Sequence, residues 1–176
     1  MPRSSQRHND PLRACFAKAH GLTHLEITMP TVYKLLHLAA AIVWLGGIAF
    51  MLLALRPVAI AQLAPPTRIP LLAAVLARFF VAVWIAIVLL ALTGTAMLMA
   101  QGMRQAPVGW HAMLGIGLLM FALFGHLYFG PFRRLKGSVA AGDWPASAAQ
   151  LARIHPLVVT NFVLGWLAIA AVVLLH

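Results

Sequence analysis

Of the eight histidines in the chain, the informative ones stand within or next to long apolar runs: His37, His111, His126 and His155. An ionisable group among lipid-spanning residues is costly and normally turns toward the interior of a helix bundle. Neutral imidazole is a good ligand for haem iron and for copper. His37 and His111 fall at matched depth near the start of the first and third apolar runs, so the pair could hold one metal between two helices. The alternative is two interfacial histidines bonded to water or backbone carbonyls. His126 and His155 are weaker candidates for a second pair near the opposite face. His111 and His126 lie about 22 Å apart along a helix and point within roughly 60° of each other, so one helix could serve two cofactors. Asn161 stands one to two turns beyond His155, where it could orient His126 as an outer partner. His155 also borders a loop, which makes simple exposure the competing reading.

His37, Trp44 and Met51 are spaced by seven and form a stripe, with Gly47 alongside. Small residues allow close helix packing in lipid. A sharper reading makes Gly47 room for a flat macrocycle beside His37, with Trp44 stacking on it. Met97, Met99 and Met103, with Met113 two residues after His111, gather toward one membrane face. Thioether sulfur favours Cu(I), but methionine is also a common gap-filler in apolar cores. Met97 and Met99 are roughly 200° apart on a helix, so both cannot face one site.

Other chemistries find no residues. The only acids are Asp10, Glu26 and Asp143, so no Ser-His-Asp set can be assembled. There is no phosphate-binding loop and no CxxC or CxxCH. A single cysteine, Cys15, forms no intrachain disulfide. An ion-coupled transporter normally keeps a carboxylate in the membrane, and none is there.

These residues must be positioned by lipid-spanning elements. The chain is 62% hydrophobic and 9% charged, with a mean hydropathy of +0.92. A soluble domain carries about a quarter charged residues, so a water-soluble enzyme and a disordered chain are both excluded. A spanning helix needs roughly 20 apolar residues. Four segments meet that: 35–55, 79–100, 108–129 and 156–175, with Pro156 expected in the first turn of the last. Leu71 to Ala77 either extends the second helix or lies along the interface. Proline and glycine signals mark the links. None of the runs alternates with the period of a barrel strand. The expected fold is all-α: a polytopic membrane protein forming an antiparallel four-helix transmembrane bundle over 31–176.

Residues 1–30 have another composition, polar and Arg-rich. They read as a tail, as sequence upstream of a start at Met29, or as a targeting presequence. With the N-terminus outside, the inner links hold seven bases (Arg56, Arg68, Arg78, Arg133, Arg134, Lys136, Arg153) against Lys34 and Arg104 outside. Counting Arg3, Arg7, Arg13 and Lys18 makes it seven against six. The positive-inside rule then favours both termini outside when the first 28 residues are set apart. The net charge of +10 is thereby a topology signal, and no nucleic-acid partner is expected.

Tyr33-Lys34-Leu35-Leu36-His37-Leu38, then Ile42-Val43-Trp44-Leu45-Gly46-Gly47 and Leu55-Arg56-Pro57, resembles the copper-resistance D (CopD-like) membrane family. Trp110-His111-Ala112-Met113-Leu114 and the return from Arg153 through Asn161 fit the same group, so the resemblance runs from about Thr31 to the C-terminus. It implies a bacterial inner-membrane protein in copper uptake or tolerance, with lipid and a redox or copper-handling protein as partners. The same pattern more distantly resembles the four-helix membrane protoporphyrinogen oxidase family, whose members bind b-type haem through a helix-one histidine. That resemblance implies His37 as an axial ligand. Where that family carries a lysine near the Trp-His of helix three, this chain has Met113. Three functions follow: a His-based site for haem b or copper, a haem-dependent oxidase, or a non-catalytic assembly subunit.

Overall fold

The computed structural model describes the backbone of residues 11–175 and the side chains of residues 31–175. Four helical rods are long and apolar enough to cross a membrane: Thr31–Gln62, Pro65–Gln101, Val108–Ala140 and Trp144–Leu174. They are called spans 1 to 4. No strand occurs among the described residues. The all-α reading holds. Expectations about residues 1–10 lie outside the described residues, and the first helix already runs from Pro11 to Phe50.

Every span is longer than its apolar core. Span 1 was expected to stop at Arg56-Pro57. It continues instead through a π turn, Met51–Leu55, into a helix Arg56–Gln62. Span 3 was expected to stop near Phe129, yet it passes through a second π turn, Tyr128–Phe132, into Arg133–Ala140. Proline lacks the N–H that an α-helix requires, and its ring crowds the carbonyl one turn back. The wider turn relieves this: the Arg56 N–H reaches back to the Met51 carbonyl just before Pro57, and Pro131 lies inside the second π turn. π turns of this kind are usually single and local.

Span 2 begins at Pro65, so Leu71 to Ala77 extends it rather than lying flat. Span 4 begins at Trp144. Pro145 takes the first-turn position, and Pro156 lies inside the helix, which corrects the expectation that Pro156 starts it. The earlier start has a clear cause. The Asp143 side chain accepts a hydrogen bond from the Ala146 N–H at 2.9 Å, an N-cap that the apolar pattern alone does not reveal. Gly102 ends span 2 with φ of 82°, a conformation that side chains with a Cβ resist.

The bundle has one end with two short links, residues 63–64 and 141–143, and an opposite end with the single link 102–107. Spans 1 and 2 pack together, as do spans 3 and 4. Glycines allow the close approaches. A Cβ at Gly47 would strike the Phe79 ring, and one at Gly165 would strike Leu45. Spans 2 and 3 are held apart by large rings. Phe80 meets Phe124 edge-on at 5.2 Å and Phe132 at 4.7 Å, and Trp84 meets Tyr128 at 5.6 Å. Such edge-to-face pairs contribute about 0.5–1.5 kcal/mol each beyond burial. Many large apolar side chains, such as Leu53, Leu92 and Val173, face outward, as a lipid-facing surface requires.

Candidate functional site

Among the described residues, the bundle holds a cavity toward each end. The larger, about 400 Å³, is toward the single-link end and is lined by all four spans. His37 and Trp44 enter it from span 1, Met97 from span 2, Trp110 and Met113 from span 3, and Gly165 and Ala168 from span 4. Lys34 lies at its rim, the one charged lining residue among those described. The rest of the wall is almost wholly apolar.

His37 is the organised polar group in this cavity. Its Nδ1 lies 2.9 Å from the Thr93 Oγ1 of span 2. The Thr93 hydroxyl is 2.6 Å from the Leu89 carbonyl, one turn back on its own helix. A carbonyl can only accept, so the single hydroxyl proton of Thr93 goes to Leu89. Thr93 Oγ1 therefore accepts from His37, and the ring proton sits on Nδ1. Nε2 is left with a free lone pair on the far side of the ring. Fixing one ring nitrogen so that the other can coordinate is the usual arrangement around metal-binding histidine. Gly94 completes the seat: a Cβ there would come within 3.3 Å of His37 Cε1. Thr93 is 4% exposed, so the acceptor side of this relay is buried.

The structure brings together some of the expected residues and separates others. His37, Trp44 and Met113 share the cavity. His111 is exposed, and its Nδ1 lies 3.3 Å from the Pro107 carbonyl of its own helix start. It does not line the cavity with His37. Gly47 does not line it either, because the Phe79 ring fills the space beside it. Trp44 is 3% exposed and stacks on Phe121 at 5.8 Å, so it is a core ring with one edge on the cavity. Met97 lines the cavity while Met99 is 74% exposed, as their angular separation requires. His126 is exposed beside Gly130 of its own helix. His155 lines the second cavity instead. Asn161 is 2% exposed with no partner for its Oδ1, and no bond links it to His126. Among the described residues no three of His, Cys, Asp or Glu cluster as a metal site.

Thr93 and Gly94 were missed from the sequence. The signal was present, since Thr93-Gly94-Thr95 interrupts an otherwise apolar helix at the depth of His37 in an antiparallel neighbour.

The family model for copper resistance protein D matches residues 73–175, more than half of the chain. The chain belongs to the copper resistance protein D (CopD) family. The match takes in most of span 2 and all of spans 3 and 4, with Thr93, Gly94, Met97 and Met113. It begins after the stretch that carries His37, Trp44 and Arg56-Pro57, so it is narrower than a resemblance running from Thr31. No curated protein and no solved structure matches the chain. Membership implies copper resistance, and the four spans make this a multi-pass membrane protein of the CopD family.

Proposed function

We propose that this CopD-family protein handles copper within the bilayer, with His37 Nε2 as the anchoring donor and the thioethers of Met97 and Met113 as soft donors in the same cavity. The observation that carries the proposal is the His37–Thr93–Leu89 relay, which leaves one imidazole lone pair unprotonated in an apolar cavity. Copper is here the cargo. Imidazole and thioether together suit Cu(I), which a site of hard oxygen donors would not favour. Trp44 and Trp110 exclude water, and Gly94 lets the ring seat against span 2.

The relay has its own test. Thr93→Val removes the acceptor but keeps the shape. Loss of such an outer partner costs about 10–100-fold in metal affinity. We expect that loss in competition with a Cu(I) chelator, with recovery in Thr93→Ser. Wild-type affinity in Thr93→Val would show that His37 needs no orientation.

The cavity volume favours a second reading. About 400 Å³ of apolar space exceeds what a bare ion needs and falls in the range of small-molecule sites. A b-type haem would be held by His37, with Met113 of the same cavity as a further donor. When bound it would supply one-electron chemistry. The chain's own part would be to hold the His37 ring and keep water out. An oxidase acting on a tetrapyrrole is a branch of this reading, and complementation of a strain lacking its protoporphyrinogen oxidase tests it. Oxidised and dithionite-reduced spectra with metal analysis separate the readings. Sharp reduced α and β bands support haem, and stoichiometric copper without them supports cargo. Neither signal would favour an assembly subunit.

We place the two-link end of the bundle at the cytoplasmic face of a bacterial inner membrane, with the C-terminus outside. Support comes from Arg56, Arg68, Arg78, Arg133, Arg134, Lys136 and Arg153, all near that end. A periplasm-active reporter fused after residue 176 should be active, and one active only in the cytoplasm should be silent. The reverse pattern would invert the assignment.

A further inference from the structure

The smaller cavity, about 180 Å³, lies toward the two-link end between spans 1, 2 and 4. Its polar groups are Arg56, Arg68 and His155; the rest of its wall is mainly aliphatic with the Phe79 ring. Both guanidinium side chains are half-buried. Arg68 reaches the Ile60 carbonyl at the end of span 1 at 3.5 Å, which uses one of its five donors. The His155 Nδ1 is buried with no hydrogen-bond partner.

A guanidinium partly withdrawn from water gains from an anionic partner. Asp143 is the only Asp or Glu from residue 31 to residue 175. Its carboxylate caps span 4 at Ala146, and it does not line this cavity. An anionic partner for these two guanidinium groups would therefore come from outside these spans. The two guanidinium charges, with no acid beside them, repel a copper ion, so this is not a second copper site. Nor can it serve a group held by His37, because Arg56 lies about 28 Å farther along span 1 at 1.5 Å per residue.

The local backbone supports a built site. The π turn Met51–Leu55 carries the helix past Pro57, with Met51, Leu52, Arg56 and Ile60 all on the cavity wall. π turns in long helices are found often at functional sites.

We propose that this cavity binds an anionic phospholipid, with the phosphate held by Arg56 and Arg68, His155 Nδ1 as a further hydrogen-bonding group, and the start of an acyl chain against Leu72, Leu76 and Val158. Guanidinium forks suit phosphate oxygens, and charge-assisted bonds of this kind are the strong ones. The apolar wall is what distinguishes an amphiphile from free phosphate.

The purified full-length protein is titrated with phosphatidylglycerol, phosphatidylcholine or inorganic phosphate, read by thermal unfolding and by native mass spectrometry. Phosphatidylglycerol should raise the unfolding temperature saturably and remain bound at one per chain. Phosphatidylcholine and phosphate should do neither. R56Q/R68Q should lose at least tenfold in lipid affinity, while R78Q, at an exposed arginine off the cavity, keeps it. Ala152→Trp fills the cavity with both arginines intact, so it should lose the lipid even if R56Q/R68Q is poorly folded. Equal effects of both lipids, equal stabilisation by phosphate, or full binding by Ala152→Trp would each overturn the proposal.

Discussion

His37→Ala should leave the purified protein without its metal or haem, with bound copper or Soret absorbance falling from stoichiometric to background. The expectation rests on geometry. Among the described residues His37 is the only imidazole on the wall of the larger cavity, and its free Nε2 is defined by the bond from Nδ1 to Thr93. The same ring is half-buried and carries none of the main aromatic packing, so helix content and unfolding temperature should change little. His111→Ala is the informative companion. That side chain is exposed and bonded within its own helix, so its removal should alter binding by less than about twofold. A large loss in His111→Ala, equal to that in His37→Ala, would restore a paired-histidine site and displace the cavity-centred one. Retained binding in His37→Ala would remove the metal reading altogether. Met113→Leu should give an intermediate loss, because one soft donor goes while the imidazole stays.

The largest expected effect on stability is at Gly109, in the first turn of span 3. Its N–H donates to the Leu175 carbonyl at 2.8 Å. A Cβ at this position would fall on the carbonyl oxygens of Leu175 and Ala171. Those atoms are backbone at the end of span 4, so they cannot swing aside as a side chain would. Gly109→Val should therefore separate the ends of spans 3 and 4 and cost about 3 kcal/mol, the upper part of the range for overpacking. Unfolding in a denaturing detergent measures it. Gly115→Ala, on the same helix with nothing within 4 Å of its added Cβ, should stay within about 0.5 kcal/mol of wild type. Span 4 also supplies Gly165 and Ala168 to the larger cavity, so Gly109→Val should weaken binding there too. Equal stability of the two variants would mean that the span 3–span 4 contact contributes little.

Composition and periodicity carried much of the architecture. Four apolar runs without internal charges required four lipid-spanning helices, since backbone N–H and C=O groups in a bilayer must bond within the chain. The same runs singled out His37, because a titratable ring in such a stretch needs a reason to be there. Helix ends were less legible. Arg56-Pro57 and Gly130-Pro131 read as stops, but a π turn absorbed each proline and the helix went on. The Asp143 cap moved the start of span 4 upstream by more than two turns, because one side-chain bond and Pro145 outweighed the position of Pro156.

Depth along the membrane was determined by the sequence alone, since each helical residue advances about 1.5 Å whatever surrounds it. Which way a side chain points was decided only by the tertiary structure. A helix turns about 100° per residue, so a small change in crossing, or the extra residue of a π turn, carries a ring from the cavity to the lipid. His111 accordingly turns out of the cavity that His37 lines, although both stand toward the same end of the bundle. For the same reason Gly94, rather than Gly47, seats the His37 ring: Phe79 had already taken the space beside Gly47.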